Sequence, residues 1–431
     1  MARQFPSTNL DKGNHMIRPD KAKAGSALAV LVWMGGLLAC GNAEAIYRPT
    51  PTAVAAGAYH SCVLWNTGGV SCWGNNYYSQ LGNPNAGINS NTMWYVTGLQ
   101  ATVKQVVAGD WFTCALLTTG GVQCWGNNGY GELGVAPGGV YSTPVAVPGF
   151  GSSHPIVQLA AGGSHVCALD STSHLYCWGS NVNLQLGYTP NGFTSQPQLV
   201  SLPATPVSIT AGEAMSCAVT SSSFYAQFNQ MYCWGNIGGG TQYWGDNNST
   251  PTLINNNLAN FYPVSISAGV DTVCAYGGYS LFGNGGGVTG CFGGNDYGQL
   301  GAGVAVYYDS YDLSPLSPHS GSTALSGVNV LATGPARNVN CANVPNKGLY
   351  CWGKNDYGQL GDYKNENVAN TAQLIVSAPW SALSVAAGDR HTCAVLTYPN
   401  YGNYLYCWGY NQDGELGDGT YTERDWPVRI W

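Results

Sequence analysis

Charge is what this 431-residue chain has least of. Asp, Glu, Lys and Arg make up 8% of it, about a third of the ~25% usual in globular proteins. Only 14 residues are Lys or Arg, too few to neutralise a run of phosphates, so nucleic acid is excluded as a partner. Beyond the first 45 residues no apolar run is long enough to cross a bilayer. Nothing has the 3.6-residue periodicity of a long amphipathic helix. The Gly-x-Ser-x-Gly elbow, His-Glu-x-x-His and the phosphate-binding Gly-x-x-x-x-Gly-Lys-Ser/Thr are all absent. The expectation is therefore no catalytic residue, no cofactor and no metal. Two other classes also fail: 45% hydrophobic content with so little charge is unlike a disordered chain, and the 60 glycines lack collagen's three-residue period.

The basic residues that exist are concentrated at the start. Arg3, Lys12, Arg18, Lys21 and Lys23 precede an apolar run from Ala24 to Ala39, the layout of a secretion signal. Two cleavage sites compete. Ala43-Glu44-Ala45 gives cleavage after Ala45 and a mature chain from Ile46. Leu37-Leu38-Ala39-Cys40 gives cleavage after Ala39 and a lipid on Cys40. Residues 1–45 are thus expected to be a signal peptide or lipoprotein signal, and 46–431 the folded domain. Either site places the protein outside the cytosol, as a secreted, periplasmic or cell-surface molecule, with Cys40 its one possible membrane anchor. Residues 46–431 carry 18 acids against 9 Lys and Arg.

What the chain has in abundance is repetition. With Cys40 set aside, fourteen cysteines fall into seven close pairs: Cys62 with Cys72, Cys114 with Cys124, Cys167 with Cys177, Cys217 with Cys233, Cys274 with Cys291, Cys341 with Cys351 and Cys393 with Cys407. The first members are 52, 53, 50, 57, 67 and 52 residues apart. A period of this size indicates a propeller or a solenoid. Each pair brackets a short β-rich run broken by a turn, as in Cys114-Ala-Leu-Leu-Thr-Thr-Gly-Gly-Val-Gln-Cys124. That pattern is a hairpin, with about four strands per repeat. Cysteines equidistant from the turn face one another at ~4.5 Å between Cα atoms, within disulfide range. Ten-residue spacings are unlike the Cys-x-x-Cys of zinc sites, and an oxidising compartment lets a disulfide persist. Seven pairs of buried thiols are the alternative.

The second cysteine is followed by Trp-Gly in six repeats, at Trp73, Trp125, Trp178, Trp234, Trp352 and Trp408, and by Phe292-Gly293 in the fifth. Leu81, Leu133, Leu186, Leu300, Leu360 and Leu416 close the pattern nine residues after that cysteine; the fourth repeat breaks it. The text Ala-Gly-x-x-His-x-Cys-Ala-Leu, then Cys-Trp-Gly-x-Asn-x-x-Gly-Gln-Leu-Gly, resembles the regulator of chromosome condensation repeat, from about Thr52 to the C-terminus. The cysteine-bearing, signal-bearing form is similar to bacterial secreted and lipoprotein members. The resemblance implies an all-β, seven-bladed propeller with one disulfide in each blade. Because an open ring leaves strand edges unpaired, the Pro-Val segment at residues 427–431 is expected to close the circle by joining the blade of the first repeat.

Four sets of residues are candidates for function. His60, His165 and His391 share one repeat position with Phe112, Met215 and Thr272; such variety indicates a packing position. Asp413, Glu415 and Asp418 lie in the ordinary blade turn and lack the EF-hand spacing of a calcium loop. The residues just after each Ala-Gly pair vary most. In a propeller they would ring one mouth, giving a candidate binding ring of Tyr59, Asp110, Trp111, Glu213, Asp271, Asp389 and Arg390. Tyrosine- and asparagine-rich loops, as at Asn75–Tyr78 and Asp356-Tyr357, add the chemistry that binding loops favour. The reading is a non-catalytic binding protein that grips an extracellular or envelope protein with one propeller face, with glycan binding as the alternative. The nucleotide-exchange role on a small GTPase that the resemblance implies does not suit an acidic, exported chain.

Overall fold

A computed structural model of the chain describes residues 48–221, 229–237, 248–254, 261–279, 288–303, 310–315, 325–334, 338–364 and 366–431. The expected signal segment, both cleavage sites and Cys40 lie outside the described residues. Residues 50–431 form one compact unit.

This unit is made of seven four-stranded antiparallel sheets, each built from four consecutive strands. The first blade shows the rule. Its strands are Pro51–Ala56, His60–Trp65, Val70–Asn75 and Asn89–Tyr95, paired in that order from the axis outwards. The remaining blades span Val103–Ala146, Ile156–Val200, Thr205–Leu253, Phe261–Pro315, Val330–Ser377 and Ser381–Arg429. The two middle strands of every blade carry the cysteines in direct register, because the hairpin turn lies midway between them. Cys62 stands opposite Cys72, Cys114 opposite Cys124, Cys167 opposite Cys177 and Cys217 opposite Cys233. Cys274 stands opposite Cys291, Cys341 opposite Cys351 and Cys393 opposite Cys407. Each of these pairs is a disulfide, with Cα atoms 4.0–4.1 Å apart. The longer hairpins of the fourth, fifth and seventh blades leave this register unchanged.

The Trp-Gly dipeptide has a backbone cause. In every blade the outermost strand slips register beside this dipeptide, as between Cys72 and Gly74. The glycine sits at positive φ, +102° at Gly74 and +107° at Gly126, a conformation that costs other residues free energy. The bulge turns the aromatic into the gap between blades, where all six tryptophans are fully buried.

Ring closure differs from the expectation. The C-terminal strand, Arg424–Arg429, pairs with Gly402–Gly409 inside the seventh blade and adds nothing to the first sheet. The Pro-Val strand is the outer edge of its own blade, so the first repeat needs none from elsewhere. Closure is instead by packing. Val54, Val63, Trp65 and Trp73 of the first blade share a core with Val395, Leu405 and Leu416 of the seventh, and the Trp431 ring meets Trp65 edge-on at 5.0 Å. At the axis, the glycine of each Ala-Gly pair lies against the carbonyl of its counterpart in the next blade. A side-chain carbon at Gly57, Gly109, Gly162, Gly212 or Gly388 would sit within 2.6 Å of that oxygen. Gly388 meets Gly57, which completes the circle. The innermost strands surround an axial cavity of about 290 Å3, lined largely by alanines and short polar residues.

Candidate functional site

The loops that follow the first and third strands of a blade emerge at the same end of the molecule, as the hydrogen bond from Asn75 N to Tyr59 O shows (2.8 Å). Here the residues after the Ala-Gly pairs form a collar that is hydrogen-bonded from blade to blade at four of the seven joints: Asp110 N to Gly163 O, Gly163 N to Glu213 O, Glu213 N to Gly269 O, and Asp389 N to Ala58 O. The backbone thus fixes where the variable side chains start.

The candidate ring resolves into three groups. Tyr59 and Trp111 stack at 4.6 Å, and Tyr78 meets the Trp111 ring edge-on at 5.3 Å. Asp110, Glu213 and Asp389 converge electrostatically from the second, fourth and seventh blades. Burial, and then the Asp389 charge, raises Asp110 to about 6; burial, and then Asp110 and Asp389, raises Glu213 to about 8. The two carboxyls share a side-chain hydrogen bond, which the protonated Glu213 donates to Asp110. Arg390 forms the third group: its Nε lies 3.2 Å from Asp389 Oδ2, and its guanidinium lies over the rings of Tyr357 (4.9 Å) and Tyr410 (5.4 Å). Asp271 stands apart, held within its own blade by Thr272 Oγ1 (3.1 Å) and Gln299 Nε2 (3.3 Å).

Neither the three histidines nor the acidic turn is a catalytic or metal constellation. His60 Nε2 bonds Thr113 Oγ1, His165 Nε2 bonds Ser216 Oγ and His391 Nε2 bonds Ser61 Oγ, each at 2.8 Å and each to the next blade. Each hydroxyl in turn donates to a main-chain carbonyl of the histidine's own blade: Gln80, Gln185 or Glu415. It must therefore accept from a protonated Nε2, which fixes the tautomer. Burial, seconded for His60 by the charge of His391, depresses His60 to about 3; burial depresses His165 and His391 to about 4. All three rings are neutral at physiological pH. Asp413 is tied to Asn75 and Asn89, and Asp418 to Arg424. Among the described residues no group of three or more His, Cys, Asp or Glu could hold a metal ion.

Sequence reasoning missed a cluster at the opposite end of the third blade. Buried Asp170 accepts from His154 Nε2 (2.8 Å), Thr172 and the Thr172 and His174 amides. Burial works against its charge, but these hydrogen bonds prevail and hold it near 2. The spacing Asp170-x-Thr172-x-His174 within a hairpin was the available signal, and His154 lies in a separate loop.

Models described as the Regulator of chromosome condensation (RCC1) repeat match residues 52–80, 103–132 and 156–185, and 119–169, 173–219 and 348–395. The chain therefore carries repeats of that family. It is similar to the human E3 ubiquitin-protein ligase HERC2, 26% identical over 368 residues, an alignment covering 82% of this chain and 7% of HERC2. The Ultraviolet-B receptor UVR8 of Arabidopsis thaliana is 27% identical over 381 residues, covering 88% of this chain and 81% of UVR8. The chain thus spans a small part of one relative and most of the other. Among solved structures, Prp20p of Saccharomyces cerevisiae, whose structure is described together with its binding to Gsp1p and histones, aligns with a TM-score of 0.67 at 21% identity, over 89% of this chain and 86% of that one. Human WBSCR16 aligns with a TM-score of 0.67 at 19% identity, over 84% and 94%. At these identities the likeness to the solved structures is one of fold.

Proposed function

We propose that this protein is a non-catalytic binding module, secreted or surface-anchored, that grips a protein partner with the mouth formed by Tyr59, Trp111, Asp110, Glu213, Asp389 and Arg390. The observation that carries the reading is the collar: blade-to-blade backbone hydrogen bonds that set a packed aromatic group and a converging carboxylate group at one end of the propeller. Pre-organised aromatics flanked by charge are what protein-binding hot spots consist of. Prp20p, which shares the fold, is described with its binding to Gsp1p and histones. Fold alone does not fix a target.

A glycan platform fits less well. Sugar rings need an open aromatic face, and one face of Trp111 is covered by Tyr59 while Tyr78 sits against its edge. The test is affinity capture from culture medium and cell envelope with the full chain, beside capture with Trp111→Ala. A partner lost with the variant supports the mouth; equal capture, glycan-array binding in place of protein, or turnover of a substrate overturns the reading. Mass spectrometry of the mature N-terminus tests the compartment, with acylated Cys40 or free Ile46 as the two supporting results and an intact Met1 as the contradicting one.

A further inference from the structure

We infer that the end of the propeller opposite the mouth docks on a membrane surface with anionic headgroups, so that an anchored molecule presents its mouth away from the bilayer. The inference rests on the surface-anchored form of the reading above and supplies its geometry.

Four observations carry it. First, a repeated bulge surrounds the axis at this end with exposed side chains. In six blades the innermost strand slips register near its start, as between Pro206 and Ser208; a bulge re-aims the residue it skips. The skipped residues are Thr52, Lys104, Val157, Val207, Val264 and Leu383, and all six are exposed. The four aliphatic ones are 40–60% exposed, and none lines the axial cavity. Single exposed aliphatics are ordinary, but four at one repeat position around one axis form a patch of the kind that marks an interaction surface.

Second, Tyr401 in the seventh hairpin and Trp431 beside it are 64% and 41% exposed. Such rings, apolar in body and polar at one edge, suit the boundary between lipid and water. Third, charge is segregated. Arg48, Lys104, Lys347 and Arg429 are exposed at this end. The only Asp or Glu here among the described residues is Asp170, whose side chain is 1% exposed. The connections on this side that fall outside the described residues, 222–228, 255–260, 280–287 and 316–324, contain no Asp, Glu, Lys or Arg. Asp110, Glu213, Asp389 and Asp413 all lie at the mouth. An anionic surface therefore attracts this end and repels the other, and the aliphatic patch adds apolar burial to that attraction. Fourth, the chain enters here. Thr50 N donates to Asn66 Oδ1 and Pro51 O accepts from Asn403 Nδ2, both in hairpins of this end. Ten residues separate Cys40 from Thr50, a reach of at most about 35 Å. A lipid on Cys40 tethers this end.

The experiment follows hydrogen exchange of the full chain with vesicles of phosphatidylglycerol and phosphatidylcholine, and with vesicles of phosphatidylcholine alone. Exchange is read in place of cosedimentation, because the apolar run 24–39 can hold the chain on a vesicle by itself. On the anionic vesicles the segments 156–158, 207–209, 264–266 and 398–402 should exchange at least fivefold more slowly, with the amides of Asp110, Trp111 and Glu213 unchanged. At least half of this protection should be lost on the uncharged vesicles and in Lys104→Glu/Lys347→Glu. All of it should be lost in Lys104→Glu/Val207→Glu/Val264→Glu. Both variants change exposed side chains and should melt as the parent does without vesicles. Protection at the mouth instead, protection equal in parent and variants, or none at either end overturns the inference. So does protection that arises without vesicles as the protein concentration is raised, which would make a second copy the occupant. The mouth reading falls separately, by equal capture with Trp111→Ala, and the anchor by the mass of the mature N-terminus.

Discussion

The joint between the first and second blades and the joint between the fourth and fifth solve one problem in opposite ways. In the first, the Gln80 carbonyl accepts the indole N–H of Trp125 (2.9 Å) and the hydroxyl of Thr113 (3.0 Å), and Thr113 accepts from His60. The same rivet from a Gln or Glu carbonyl to the next tryptophan recurs at Glu132–Trp178, Gln185–Trp234, Gln299–Trp352 and Gln359–Trp408, and Glu415–Trp73 closes the ring. In the second joint the corresponding residues are Met215, Val273 and Phe292, all buried in one apolar cluster. Each histidine faces a hydroxyl, but a hydroxyl does not require a histidine: buried Val339 precedes Thr392, whose hydroxyl donates to the Gln359 carbonyl. His60 faces Thr113, His165 faces Ser216 and His391 faces Ser61, whereas buried Phe112 and Met215 precede blades with buried Val166 and Val273 in the hydroxyl's place. A buried donor without an acceptor costs about 1–3 kcal/mol, so a histidine at this position requires a hydroxyl in the next blade.

The contrast can be broken most severely at the axis, which both kinds of joint share. Gly162→Ala drives a carbon into the Gly212 carbonyl and should cost about 3 kcal/mol or more, seen as a large fall in denaturation midpoint. Next comes the pairing rule. Ser61→Val alone orphans His391 Nε2 and should cost about 2 kcal/mol. The double change Ser61→Val/His391→Phe copies the Phe112/Val166 joint and should restore most of the loss, giving a large coupling in a double-mutant cycle. Independent, additive losses would refute the pairing.

Smaller effects sharpen the comparison between glutamine and glutamate at the rivet. Tyr78 N donates to the Gln80 side chain and Asp413 N to Glu415, yet burial lifts Glu132 to about 7 and Glu415 to about 8. A carboxyl raised in the folded state stabilises it while protonated and loses that contribution as the pH rises through the folded value. Glu415→Gln should therefore be roughly neutral at pH 5 and stabilising by about 1–2 kcal/mol at pH 9. The neutral histidines act at the other end. Their folded values lie below 6.5, so stability falls as the pH drops from about 6.5 toward 4; His60→Phe/Thr113→Val should flatten that acid limb. Smallest is Trp431→Ala, which removes one edge-on contact and should cost about 1 kcal/mol.

Much of this was legible in the text of the repeat. Matched cysteines around a turn gave the hairpins and disulfides, because a two-residue side-chain period leaves little freedom once the turn is placed. The collar was legible too, since corresponding loops of a propeller share an end. The role of residues 427–431 was misjudged. The Pro-Val strand reads equally well as the end of one blade or the start of the next, and only strand pairing decides. The histidine–hydroxyl pairs were hidden because their members lie about fifty residues apart. The spread of residue types at the histidine position was the visible trace of a partner that changes with it. Within the ring, Asp110, Glu213 and Asp389 stand first after their glycines whereas Asp271 stands second, an offset visible in the sequence that sets it apart with Thr272 and Gln299.

The central claim, that this mouth is the binding surface, is tested most directly by hydrogen exchange of the full chain with and without a captured partner. The account gives protection of the amides of Asp110, Trp111, Glu213 and Asp389, with the hairpins at the opposite end unchanged. Protection confined to those hairpins, for example around Asp170–His174, would contradict it.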